Sequence, residues 1–115
     1  MKRLGQIGAL CAAGLLWAYG WAHAAQTKGA GADAATLFAK HCATCHGKDG
    51  RAKTMKSKLR YHARDLTDAA WQSEVSDERL FNSISAGRGK MPAFGKKLPK
   101  EQIDALVAHV RGLKK

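Results

Sequence analysis

Acidic residues, cysteines, strand-like alternation and long apolar runs are all scarce in this chain. Nine Asp and Glu stand against 20 Lys and Arg, a net charge of +11, and none of the nine falls in the first 24 residues. Such an excess favours acidic partners or anionic surfaces and speeds encounter with them. No nucleic-acid-binding motif accompanies the charge, so nucleic acid is a poor reading of it. No segment alternates apolar and polar residues as a half-buried strand would, and no internal repeat is visible, which leaves helical patterns alone to build the domain. The one long apolar stretch is interrupted by Gln6, with Gly5, Gly8 and Gly14 along it. It falls short of the roughly 20 residues that span a bilayer.

What that stretch does resemble is an export signal. Lys2 and Arg3 form a positive start, an apolar region runs from about Ile7 to Tyr19, and Ala22-His23-Ala24 makes a small-x-small cleavage site. The expected organisation is a cleavable signal peptide over 1–24, a flexible Gly-rich leader over 25–32 and a single domain over 33–115. Cleavage after Ala24 shortens the 115-residue chain to 91 and, by removing Lys2 and Arg3, lowers its charge to +9. It also removes Cys11, whose preceding Leu10 is a poor lipidation signal. The exported domain would then lie in the periplasm, with no stable membrane insertion.

Ninety-one residues are few for a self-sufficient core, and the helical pattern is correspondingly sparse. Asp33 can cap a first helix running to about Cys42, with Leu37 and Phe38 on its buried side. Residues 47–64 read as a basic loop without a clear period. Thr67 is placed to cap a short helical turn through Trp71. Ser76 caps a further helix, with Asp77 and Glu78 favourably set in its first turn and Gly87 at its end. Pro99 suits the first turn of a last helix, where Ile103, Leu106, Val107, Val110 and Leu113 recur at helical spacing.

The chemistry of the chain is concentrated in Cys42-Ala43-Thr44-Cys45-His46. Two thiols three residues apart can add across the two vinyl groups of one porphyrin edge, and the next residue presents an imidazole to the iron. The spacing therefore reads as a covalent haem attachment site. A thiol-disulfide pair also uses Cys-x-x-Cys, but the strand-led context of that motif is missing. Zinc held by His41, Cys42, Cys45 and His46 would need four ligands from six residues, whereas structural zinc sites draw on separated segments. His41 is left without a ligand role. A second signal lies downstream in Gly87-Arg88-Gly89-Lys90-Met91-Pro92-Ala93-Phe94. Pro92 holds Met91 extended and stiffens its loop, and a thioether opposite imidazole favours ferrous iron. Met91 is thus the expected sixth ligand, with Met55 the runner-up and His62 and His109 more distant alternatives.

On these two motifs the chain resembles the class I c-type cytochromes, over roughly Asp33 to Leu113. The resemblance implies an all-α, small cytochrome c fold of three to four helices around one covalently bound haem c. It places the haem site on the first helix, a C-terminal helix crossing that helix, and a methionine loop between them. The positions that match the family's helix crossing are Ala34 and His109. Trp71 and Arg64 match positions that often lie near haem propionates. Cys42 and Cys45 would carry the haem, and His46 and Met91 would ligate its iron.

The implied function is single-electron transfer between redox partners by Fe(III)/Fe(II) cycling, in a respiratory chain, by a carrier that is not an enzyme. The alternative is a haem enzyme or gas sensor with a labile distal ligand. Expected partners are a reductase, dehydrogenase or oxidase with an acidic docking face. Lys40, Lys48, Lys90, Lys96, Lys97 and Lys100 are the candidates to meet it.

Overall fold

The computed structural model describes residues 33–115; the expected signal peptide (1–24) and leader (25–32) lie outside the described residues. The chain forms α1 (Ala34–His41), α2 (Ala43–His46), a π-helical turn (Lys56–Arg60), α3 (Ala69–Glu74), α4 (Asp77–Ala86) and α5 (Lys100–Gly112). Among the described residues the strand-like pairing is a single bridge between Arg88 and Met91. The all-α fold is as expected, and the described residues hold five α-helices where three to four were expected. The extra count comes from a break at Cys42, whose φ of −115° separates α1 from the short helix carrying Cys45 and His46. No helix among the described residues is long and apolar enough to cross a membrane.

Local chemistry explains the helix starts. The Asp33 carboxylate accepts from the amides of Ala35 and Thr36 at 2.9 and 3.1 Å and from the Thr36 hydroxyl at 2.8 Å. That satisfies donors a helix N-terminus otherwise leaves unpaired. Ser76 Oγ accepts from the Arg79 amide at 3.1 Å and starts α4. Thr67 does not cap α3. Its hydroxyl is held by Asp65 at 2.7 Å, and Asp68 takes the amides of Ala70 and Trp71 instead. Pro99 stands just outside α5 as its cap rather than in its first turn.

α5 packs across α1 and along α4. Its apolar stripe supplies Ile103, Leu106, Val107 and Val110 to a core completed by Leu37, Phe38, Leu80, Ile84 and Phe94. Fully burying one such side chain is worth about 1.5–3 kcal/mol. At the α1–α5 crossing, His109 lies against Phe38 with ring centroids 4.9 Å apart, so an imidazole does the packing work of an aromatic.

The same end of α5 is pinned by polar groups. Buried Gln72 donates from Nε2 to the carbonyls of Leu66 and Val110, at 2.8 and 2.7 Å. The Arg111 guanidinium donates to the carbonyls of Gln72 and Val75, at the free C-terminal end of α3, and to Asp77 on α4.

Gly87 turns the chain into the methionine loop. Its φ is +74°, and a Cβ there would come within 2.5 Å of the Met91 carbonyl oxygen. Only glycine lets the loop fold back this closely. Arg88 and Met91 then exchange backbone hydrogen bonds of 3.1 and 2.8 Å, and the Phe94 and Gly95 amides bond to the Ile84 and Ser85 carbonyls. The loop is therefore docked along α4 rather than free.

Candidate cofactor site

The end of α1, α2, residues 61–64, α3, α4, the methionine loop and α5 enclose a cleft of about 330 Å³. Its walls are largely apolar, with Phe38, Leu66, Trp71, Val75, Leu80, Ile84, Pro92, Phe94, Leu106 and Val110 among them. A mostly apolar concavity with a few convergent polar groups is the form of a cofactor pocket. Those groups are Cys42, Cys45, His46 and Met91, all of which line this one cleft.

His46 is oriented for ligation. Its Nδ1 lies 2.9 Å from the Arg64 carbonyl oxygen. A carbonyl can only accept, so Nδ1 carries the proton and the Nε2 lone pair is left for a ligand. An outer hydrogen bond of this kind is what fixes the tautomer of histidines that bind metals. Burial lowers the imidazole's pKa below its ordinary value, opposed in part by that same hydrogen bond, and so favours the neutral ring.

The Cys42 thiol argues against a redox-active pair. Burial, and then the neighbouring Cys45, push the Cys42 thiol up to about 11. Reactive thiols have depressed values and sit in electropositive settings. Nor does any group of three or more His, Cys, Asp and Glu among the described residues have the arrangement to hold a metal ion. The zinc reading built on His41, Cys42, Cys45 and His46 thus lacks its geometry. The donor set that does converge is one imidazole, one thioether and two thiols on the rim of an apolar cleft, which fits haem c.

The alternative ligands separate clearly. Met55 is 69% exposed and is not among the residues lining the cleft. His109 is committed to Phe38. His41 lines the cleft but lies edge-on to Phe94, centroids 5.4 Å apart. His62, one of the more distant alternatives, also lines it, from an exposed position with a φ of +50°.

Arg64 and Trp71 both line the cleft, the guanidinium 5.6 Å from the indole centroid. Arg79 and Arg88 join them on the lining, which nothing in the sequence singled out. Of the six candidate docking lysines, only Lys90 lines the cleft. Its ammonium donates to the Arg60 carbonyl at 2.6 Å, tying the methionine loop to the π-helical turn.

Fold and site together define a c-type cytochrome. The chain belongs to the family described as cytochrome c oxidase, cbb3-type, subunit III, whose model matches residues 29–110. The FixP subunit of a cbb3-type cytochrome c oxidase from Azorhizobium caulinodans is 36% identical over 80 residues, 69% of this chain and 26% of that protein. Cytochrome c6 from Microcystis aeruginosa is 34% identical over 82 residues, 68% of this chain and 90% of that protein. The solved structure of the KustC0563 c-type cytochrome superposes with a TM-score of 0.67 at 42% identity, covering 73% of this chain and 100% of that one. The chain thus spans about a quarter of the cbb3-type subunits it matches and about nine tenths of that cytochrome c6. The family's cofactor is covalently bound haem c, and its work is electron transport.

Proposed function

We propose that this is an exported, periplasmic, monohaem c-type cytochrome that carries single electrons between larger redox proteins. In this reading Cys42 and Cys45 would hold the haem through thioethers, and His46 Nε2 and the Met91 sulfur would be its iron ligands. Bound there, haem c supplies one-electron Fe(III)/Fe(II) chemistry. The observation that carries the reading is the meeting of these four side chains at one apolar cleft, with His46 locked in the ligating tautomer by the Arg64 carbonyl.

The protein's own residues then have distinct tasks. The Arg64 carbonyl fixes the imidazole's orientation and raises its basicity. The cleft's apolar walls exclude water and lower the local dielectric, which sets the potential together with the axial pair. The docked loop, held by Gly87 and the Arg88–Met91 bridge, keeps the thioether in place. If His46 and Met91 both ligated the iron, the protein would leave no open position for a substrate, and for that reason the reading favours a carrier over a haem enzyme or gas sensor. An oxidase or dehydrogenase with an acidic face suits the positive charge.

Intact-mass measurement of the denatured, exported protein tests the reading. The expected mass is that of residues 25–115 plus one haem, and acid-acetone extraction should leave the haem on the chain. A haem-free polypeptide would overturn it. A retained N-terminus would overturn the cleavage alone.

A further inference from the structure

Met55 and Leu59 are the two large apolar side chains left exposed among the described residues, with 69% and 66% of their surfaces open. A single exposed leucine needs no explanation. This pair stands four residues apart on the π-helical turn and the residue that caps it, and π-helical geometry recurs at functional sites.

The turn is firmly built. Ser57, 1% exposed, is its buried anchor: its hydroxyl lies 2.7 Å from Thr54 Oγ1, its amide donates to the same oxygen, and its carbonyl accepts from Ala63. Lys90 fastens the far end through the Arg60 carbonyl. The two apolar side chains are thus held outward by a rigid frame.

Charge along the segment itself is of one sign, with Asp49, which pairs with Arg51 at 3.8 Å, and Asp65 at its two ends. From residue 50 to residue 64 there is no Asp or Glu, while Arg51, Lys53, Lys56, Lys58, Arg60 and Arg64 carry six positive charges. The turn packs against α2, which bears Cys45 and His46, and the residues just after it, Tyr61 to Arg64, line the cleft. A protein seated here would sit beside the cofactor. Of the six lysines expected to meet a partner, Lys97 lies over the Phe94 ring and Lys100 pairs with Asp104 at 2.6 Å, while on the turn itself Lys56 and Arg60 lie over the Tyr61 ring.

We infer that the turn from Met55 to Arg60 is the seat of an acidic electron-transfer protein. Met55 and Leu59 form the small dry centre of a transient contact, and the surrounding cations steer and register it. This inference rests on the electron-carrier reading above. An apolar centre with a charged rim suits brief redox encounters, in which contact area is small and steering sets the on-rate. Methionine adapts its shape to more than one partner.

The test is stopped-flow reduction of the ferric holoprotein by reduced plant-type ferredoxin, an acidic donor that loses one electron as one haem gains it. Ascorbate serves as the small-molecule control. Met55→Ser/Leu59→Ser should lower the second-order rate with ferredoxin about tenfold, within the one to three decades over which variants of one interface range. Its salt dependence should be unchanged. Lys56→Glu/Lys58→Glu should slow the reaction at low salt and flatten its salt dependence. Both variants should keep the wild-type spectrum and ascorbate rate, and Lys96→Glu/Lys97→Glu should stay within about twofold of wild type with ferredoxin.

A ferredoxin rate indifferent to Met55 and Leu59, or sensitive only to Lys96 and Lys97, overturns the inference. So does a Met55/Leu59 variant that loses binding to anionic phospholipid vesicles while its ferredoxin rate holds, since the patch would then be a membrane contact. A wild type that accepts electrons from ascorbate but not from ferredoxin also overturns it. One that accepts none from either contradicts the carrier reading itself.

Discussion

Replacing Gly87 by alanine should strike the methionine loop at its base, and Gly89 offers a built-in control. Both residues have positive φ, +74° and +54°. A side chain at positive φ costs about 1–2 kcal/mol at Gly89 and about 1–3 kcal/mol at Gly87, whose ψ of 168° is a conformation essentially confined to glycine. They differ also in what the new Cβ meets. At Gly89 nothing lies within 4 Å, whereas at Gly87 the Met91 carbonyl oxygen is 2.5 Å away and the Ala93 amide nitrogen 3.0 Å. Both of those are backbone atoms, so relief requires the loop itself to move, adding the about 1–3 kcal/mol typical of overpacking.

Gly87→Ala should therefore cost about 3 kcal/mol in total and Gly89→Ala about 1 kcal/mol. Guanidinium unfolding of the holoproteins would read this as a midpoint lowered by about 1 M for Gly87→Ala and by a third of that for Gly89→Ala. Because Met91 must shift with its carbonyl, the first variant should also lose intensity in the sulfur-to-iron charge-transfer band, and the second should not. Equal losses of stability in the two variants would refute the steric argument.

Arg111→Ala should destabilise the protein by about 2–3 kcal/mol, because it leaves the Gln72 and Val75 carbonyls without their charged donor. Asp77→Ala, which removes only the partner that is 72% exposed, should cost under about 1 kcal/mol by the same unfolding measurement. Asp33 gives a pH signature. Its carboxylate is held below the ordinary value of 3.8, first by the Thr36 hydroxyl and then by the Thr36 amide. A depressed folded value means the unfolded state takes up protons first. The stability it contributes is thus present above pH 3.8 and lost as pH falls through the folded value. Asp33→Asn keeps a good cap without a titrating group, so the wild type's stability advantage, followed by acid titration of both proteins, should shrink below pH 3.8.

The chain's sequence made some of this structure legible and hid the rest for identifiable reasons. Asp33, Ser76 and Gly87 mark helix ends because capping is a local affair of one side chain and the next three amides. The α5 stripe was readable because its buried face repeats at helical spacing. Cys42, Cys45, His46 and Met91 were nameable because attachment chemistry dictates spacing, and the fold brings all four to one cleft. Local signals failed where two of them compete. Thr67 and Asp68 are both good caps, and Asp65 decides between them by occupying the Thr67 hydroxyl. The π-helical turn was invisible because its anchor, Ser57, is a polar residue that becomes buried only through bonds to Thr54 and Ala63. His62, Arg79 and Arg88 reach the cleft through tertiary placement that no window of sequence encodes.

The axial pair is tested most directly by the near-infrared spectrum of the ferric protein, taken alongside Met91→Ala. Thioether ligation should give the wild type its weak sulfur-to-iron band. Met91→Ala should abolish that band, lower the reduction potential and let the ferrous protein bind carbon monoxide, which the wild type should resist. A band that persists in Met91→Ala would contradict the assignment of Met91. Its absence from the wild type, with ready carbon monoxide binding, would contradict the electron carrier and favour a haem enzyme or gas sensor.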